Sequence, residues 1–174
     1  MKKIVILLFA VITAIGCSKD DEQTPTPEPV ANTALKVFHK TTGAEIKDGD
    51  VLNFNSSASE LKFYFKNTSA TSIKVKTKFI TYSGVSDTSG LNLCIGAQCY
   101  TAPIMGSSYP VSNEPVISVP ANGIIGDIEQ YKIFNTILPN PPATSIDYVF
   151  EAYQYDANGN PVGNKVRFTY RYQR

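Results

Sequence analysis

A chain of 174 residues with 16 Lys or Arg, 15 Asp or Glu and a net charge of +1 has no basic field with which to hold a nucleic acid. Three cysteines and one histidine would all be needed to make up the four ligands of a structural zinc centre. Nine Phe and ten Tyr supply enough bulk for the core of one ordinary domain.

The chain opens with Met1-Lys2-Lys3 and an uncharged apolar run over residues 4–15. A helix of that length rises about 18 Å, well short of the about 30 Å of a bilayer core. The run therefore reads as the apolar region of a secretory signal rather than a membrane span. It closes in Ala14-Ile15-Gly16-Cys17, which resembles the bacterial lipobox, with Ala14 where leucine is commoner. The resemblance implies diacylglyceryl transfer to Cys17, cleavage after Gly16 and acylation of the new amino terminus. The alternative is an ordinary signal peptide cleaved nearby, with Cys17 left free. Ser18-Lys19-Asp20-Asp21-Glu22 looks like the acidic export signal of surface lipoproteins in Bacteroidota, which implies display on the outer face of the outer membrane. As a plain solvated tail it leaves the periplasmic leaflet as the address. Two acyl chains hold a protein stably on a membrane and one does not, so the expected partner of this end is the membrane itself.

Residues 17–33 form a polar tether in which Pro25, Pro27 and Pro29 alternate with Thr and Glu. Proline at every second position blocks helix and sheet pairing and favours an extended chain of about 3.1 Å per residue. Residues 34–174 are expected to form a single domain. With three lysines and four acids lying before residue 34, the domain holds thirteen basic and eleven acidic residues and is close to neutral.

Periodicity in this domain points to strands almost throughout. Leu61, Phe63 and Phe65 share one face of a run, and Ile73, Val75 and Phe79 share one face of the next, with Lys74, Lys76 and Lys78 outward. Further strands are expected over 34–39, 51–54, 91–94, 97–101, 115–119 and 127–134. Turn formers separate them at Asp48-Gly49-Asp50, Ser83-Gly84, Asn122-Gly123 and Pro139-Asn140-Pro141-Pro142. The last hairpin joins strands 145–156 and 165–172 around 157–161. Its expected register sets Ala152 against Phe168, Phe150 against Tyr170 and Tyr148 against Tyr172, with Glu151, Tyr153, Arg167 and Arg171 on the other face. Many short strands with frequent turns predict an all-β fold, a β-sandwich of roughly seven to nine antiparallel strands.

Cys94 and Cys99 flank Ile95-Gly96-Ala97-Gln98. A two-residue turn at Gly96-Ala97 of the kind that wants glycine first sets the two cysteines opposite each other, within disulfide reach. In an oxidising compartment the bond is expected to form, and its short loop limits it to about 2 kcal/mol. A redox pair would want two intervening residues at a helix start, and a zinc site would want two more ligands where the domain offers only His39. The run Gly90-Leu91-Asn92-Leu93-Cys94 through Cys99-Tyr100, with Pro103 and the tyrosine-rich final hairpin, looks like small immunoglobulin-like domains of secreted Bacteroidota proteins. The resemblance implies an immunoglobulin-like sandwich and carries over no catalytic residues.

No pattern of residues nominates a reaction. His39 stands without a Gly-x-Ser-x-Gly elbow and reads as an ordinary surface or edge residue. A glycosidase would need two facing carboxylates, yet Asp48, Asp50, Asp87 and Asp127 fall in turns and Glu60 and Glu151 at outward strand positions. Asp156-Ala157-Asn158-Gly159-Asn160 resembles the start of a calcium loop. However, Pro161 stands where the glycine belongs and Arg167 where the bidentate glutamate belongs, so a hairpin turn is the better reading. Phosphate-binding glycine loops are absent, and neither a metal nor a cofactor is expected. What remains are surfaces. Lys74, Lys76 and Lys78 are either a contact for acidic glycans or headgroups, or a guard against edge-to-edge pairing. Tyr153 and Tyr155, near Arg167, are candidates for stacking on a ligand. The 101–115 loop, with Ile104, Met105, Tyr109 and Pro110, either binds or covers the open end of the sandwich. The expectation is a surface-tethered, non-enzymatic module that binds a glycan or a protein. A structural part of the cell envelope is the second reading, and a hydrolase built on unplaced acids the third.

Overall fold

The computed structural model describes residues 33–126 and 131–174. The expected signal at 1–16, Cys17, the tether to residue 32 and the first part of the expected 127–134 strand lie outside the described residues.

The strands are β1 (Leu35–His39), β2 (Glu45–Ile46), β3 (Asp50–Phe54), β4 (Glu60–Asn67), β5 (Ile73–Ser83), β6 (Leu91–Ile95) and β7 (Gln98–Thr101). They continue with β8 (Ser108–Tyr109), β9 (Ile117–Val119), β10 (Ile124–Ile125), β11 (Lys132–Asn135), β12 (Ser145–Tyr155) and β13 (Pro161–Gln173). Alternation predicted the long ones because a half-buried strand must put every second residue in the core. β4 buries Leu61, Phe63, Phe65 and Asn67, and β5 buries Ile73, Val75, Thr77 and Phe79. Strands β2, β8 and β10 have two residues each, too few to leave a periodic trace.

One sheet runs β2-β1-β4-β11-β6-β7, with β10 also on β4; the other runs β3-β13-β12-β5-β8, with β9 also on β5. They face each other across one core to make an all-β, immunoglobulin-like sandwich. Phe63 of the first sheet meets Phe168 of the second with ring centres 6.3 Å apart. Tyr148 donates from its hydroxyl across the layers to Asn135 Oδ1 at 3.1 Å. Tyr148, Tyr170, Phe63, Phe65, Phe79, Phe150 and Phe168 are all fully buried. Each contributes about 1.5–3 kcal/mol by burial, so the aromatic core outweighs any single cross-link.

Two expectations are corrected. The sandwich is not purely antiparallel, because β3 lies parallel to β13, with Phe168 beside Asp50 and Tyr172 beside Phe54. The final hairpin is also paired two residues away from the expected register: Phe150 faces Phe168, Tyr148 faces Tyr170 and Ala152 faces Val166. The turn closes earlier than expected, where Asp156 N donates to Asn160 O at 3.0 Å, and β13 starts at Pro161. The pairing then jumps from Gln154 with Val162 to Tyr153 with Lys165, which leaves Gly163 and Asn164 as a bulge. Gly163 takes the positive φ of 71° that the bulge needs. A two-residue shift keeps every side chain on its face, so the expected inward and outward sets survive the change.

Candidate functional site

Three segments distant in sequence meet on the outer face of the second sheet. β5 brings Lys74 and Lys76, the end of β12 brings Tyr155, its turn brings Ala157, Asn158 and Gly159, and the loop before β9 brings Pro110, Val111, Ser112, Glu114 and Val116. Together they enclose a groove of about 290 Å³. The pairing of β12 with β5 sets Tyr155 beside Lys74 and Tyr153 beside Lys76. The Lys76 ammonium sits 5.3 Å from the centre of the Tyr155 ring, a cation–π contact that holds the charge at the groove wall.

The loop wall is held by a chain of hydrogen bonds. Gly106 N donates to Phe79 O at 2.7 Å and Phe79 N donates to Ser107 O at 3.0 Å. Ile104 N donates to the Tyr109 hydroxyl oxygen at 2.7 Å, and Tyr153 donates from its hydroxyl to Ser108 Oγ at 2.9 Å. Glu114 Oε2 accepts from the Tyr100 hydroxyl and, at 2.9 Å, from Val111 N. Burial, and then the Glu114 carboxylate beside it, hold the Tyr100 phenol far above its ordinary range, so it stays a donor.

Tyr100 is placed by the cysteine hairpin. Cys94 faces Cys99 and Ile95 faces Gln98, the two sulfurs are bonded, and Gly96 takes a φ of 64° in the two-residue turn. That geometry is the one the Gly96-Ala97 spacing predicts. Tyr100 follows directly and packs against Tyr109, with ring centres 4.4 Å apart and the planes tilted by 49°. A second, smaller hollow of about 190 Å³ lies between this hairpin tip and the same loop, lined by Ile95, Gly96, Pro110, Ile117 and Tyr131. Burial lifts the Tyr131 phenol to about 12.

The residues singled out from sequence separate here. Tyr155 joins Lys74 and Lys76 in the groove. Tyr153, on the same face, is covered rather than presented, at 7 % exposure, and serves to hold the loop. Tyr109 points into the core. Arg167 stays outside the groove and is paired to Glu151 at 2.7 Å. Lys78 lies outside it too, beside Glu151 and Ser108 in the strand pairing. The edge-guard reading of the three lysines loses its ground, because β8 and β9 cover the outer edge of β5 at Thr77, Lys78 and residues 73–75. Of the 101–115 loop, the later part lines the groove, while Ile104 and Met105 stand out in solvent at 71 % and 56 % exposure. Ser112 and Glu114 fell within the candidate loop without being singled out, and Val116 and Asn158 were read only as strand and turn, because no local pattern marks them as lining a groove.

The charge pattern of this face is uneven. On β13, Lys165 and Arg167 reach Glu151 at 3.4 and 2.7 Å, and Arg171 grips Asp147 through two nitrogens at 2.6 and 2.7 Å. Lys74 and Lys76 have no carboxylate within ion-pair distance among the described residues. Glu114, which lines the groove, and Asp156, next to Tyr155 in sequence, are hydrogen-bonded elsewhere. Glu114 binds Tyr100 and Val111, and Asp156 Oδ1 accepts from the amides of Asn158 and Asn160 at 2.9 Å each. Those amides, Asn160 first, pull the Asp156 carboxyl below its usual range. The 156–160 segment is thus a self-satisfied hairpin turn.

His39 lies elsewhere, beside Phe54 and Ile46 in a hollow between β2 and β3. Its Nδ1 accepts from Thr41 N at 3.2 Å and Thr42 N at 3.4 Å, which closes the turn after β1.

No protein-family model matches the chain, and no curated protein does. Among solved structures it is similar to the N-terminal domain of PorA, at 20 % identity over 79 % of this chain and 96 % of that one, with a TM-score of 0.44. It is also similar to PapD-like domain 7, an ASH domain, of human CEP192, at 12 % identity over 98 % of this chain and 96 % of that one, with a TM-score of 0.40.

Proposed function

We infer that this protein is a non-enzymatic binding module, held on the outer membrane by a lipid on Cys17 and displayed at the cell surface, that takes a glycan or protein ligand. The observation that carries the binding role is the groove: a preformed concavity with two lysines that no carboxylate pairs among the described residues, an aromatic wall and a loop fixed in place by hydrogen bonds. Rigid walls lower the ordering cost of binding. The tether rests on Ala14-Ile15-Gly16-Cys17 and its flanks. The non-enzymatic reading draws on how the reactive side chains are used. Glu60, Glu151, Asp147 and Glu45 are each engaged by a lysine or arginine, and the single histidine spends Nδ1 on a turn. The exposed Ile104 and Met105 favour a second reading, contact with another envelope protein through the loop tip.

Palmitate labelling with intact-mass analysis of the native protein tests the anchor, and biotinylation of intact cells tests display. Lipid mass on Cys17 with residues 1–16 gone, and labelling without lysis, are expected. A bare sulfur would remove the anchor. Labelling only after lysis would move the protein to the periplasmic leaflet.

A further inference from the structure

We propose that the groove between Lys74, Lys76, Tyr155 and the 110–116 segment recognises the carboxylate of an acidic saccharide, a uronic acid or another carboxylated sugar. This deepens the binding role proposed above and rests on it.

The case begins with charge. Around Glu151 and Asp147 the basic residues of β13 are neutralised by acids of β12. At the groove the same face stops matching, and among the described residues no carboxylate pairs with Lys74 or Lys76. Residues two apart on one strand stand about 6.6 Å apart along it. That spacing lets both ammonium groups converge on the two oxygens of one carboxylate, and such charge-assisted bonds are the strong ones. Of the acids nearby, Glu114 lines the groove but is held by Tyr100 and Val111, and Asp156 is bound into its own turn. Both acids keep their charge, but neither forms an ion pair with Lys74 or Lys76.

The walls narrow the class of anion. Tyr155, Pro110 and Val116 offer apolar surface next to the hydroxyl of Ser112 and the amide of Asn158. A sugar ring is amphipathic in the same way, with C–H faces and a hydroxyl rim. An acidic peptide docking as a strand would need a free sheet edge, but the backbone of β5 at the groove is already paired with β12 on one side and β9 on the other. The volume of about 290 Å³ is at the small end of ligand sites and suits a chain end or a branch more than a long polymer.

The test is binding of the purified full-length chain to trigalacturonic acid, a hyaluronan tetrasaccharide and sialyllactose, with maltotriose as the neutral comparison, by calorimetry at low and high salt. At least one acidic saccharide is expected to bind, more weakly as salt rises, and maltotriose is not. Lys74→Ala with Lys76→Ala is expected to weaken binding at least about tenfold, while Lys78→Ala, on the same strand but outside the groove, leaves it unchanged. Circular dichroism of each variant separates a lost site from a lost fold, and Tyr155→Ala, on the strand beside the lysines, is expected to weaken binding as well. Equal binding of maltotriose, an unchanged affinity in the double variant, or no binding of any acidic saccharide would overturn the proposal. So would preference for a poly-glutamate peptide or for phosphatidylglycerol vesicles. None of these results touches the lipid on Cys17, which the labelling experiment reads separately.

Discussion

Tyr153 and Ser108 are joined by a hydrogen bond of 2.9 Å between their hydroxyl oxygens, and this contact ties the long loop to the outer face of the final hairpin. An outward strand position would ordinarily leave the tyrosine in water; here it is buried and its hydroxyl is satisfied. Tyr153→Phe keeps the ring and removes the bond. The expected cost is about 1 kcal/mol, together with faster hydrogen exchange over the residues around Ser108 and weaker ligand retention by the groove. Unchanged exchange would mean that the backbone bonds between Phe79 and residues 106–107 hold the loop unaided.

Thr77 is fully buried in β5, and its Oγ1 finds no hydrogen-bond partner among the described residues. A hydroxyl taken out of water and left unbonded is a net loss. Thr77→Val replaces it with a methyl of similar shape and is expected to stabilise the domain by about 1 kcal/mol. Thermal unfolding should shift up by about 3 °C. A lower midpoint would show that the hydroxyl is satisfied.

Gly84 and Gly43 both hold a positive φ, 83° and 71°, but only one is crowded. A Cβ at Gly84 would lie 2.1 Å from the Ser145 carbonyl oxygen, whereas Gly43 has open space. Gly43→Ala is expected to cost about 1 kcal/mol, the left-handed penalty alone. Gly84→Ala adds a backbone collision where β5 ends against β12 and should cost about 3 kcal/mol or more. Denaturant midpoints of the two variants separate conformation from contact.

Acid should weaken the fold through one side chain before the carboxylates titrate. Desolvation holds the His39 pKa below its ordinary 6.5, so the unfolded chain binds a proton that the folded one resists. The stability contributed is complete above pH 6.5 and is lost as pH falls through that value toward the folded pKa. Protonation also disables Nδ1 as the acceptor for Thr41 and Thr42. Unfolding midpoints measured downward from neutral pH should decline in the parent and stay flat in His39→Gln until the acids titrate. Parallel declines would assign the loss to other groups.

How much of this was legible depended on whether the information was local. β4, β5 and the faces of β12 and β13 were readable, because burial of one face imposes alternation along each strand. The disulfide was readable, because a two-residue turn with glycine first admits one pairing. The hairpin register was not: it depends on where Asp156 closes the turn and on a bulge at Gly163 and Asn164, neither of which alters the alternation. The groove was half visible. Lys74 and Lys76 stood out in an outward basic stripe and Tyr155 as an outward aromatic, but Ser112, Glu114 and Asn158 reach the site only through tertiary folding. Tyr153 and Tyr109 were judged by strand parity and local loop composition, which cannot register a loop crossing over one and the core closing around the other.

The parallel contact between β3 and β13 has a bearing on how the molecule comes into being. The final thirteen residues in strand form supply the interior of a sheet whose border was made more than a hundred positions earlier. Assembly from the amino terminus onward would stall with that border unattached until the last segment arrives. Such distant pairing is the slow kind. A ribosome or export channel that withheld the tail would hold the whole second layer open, and a nonsense codon near residue 160 would leave it permanently without its middle.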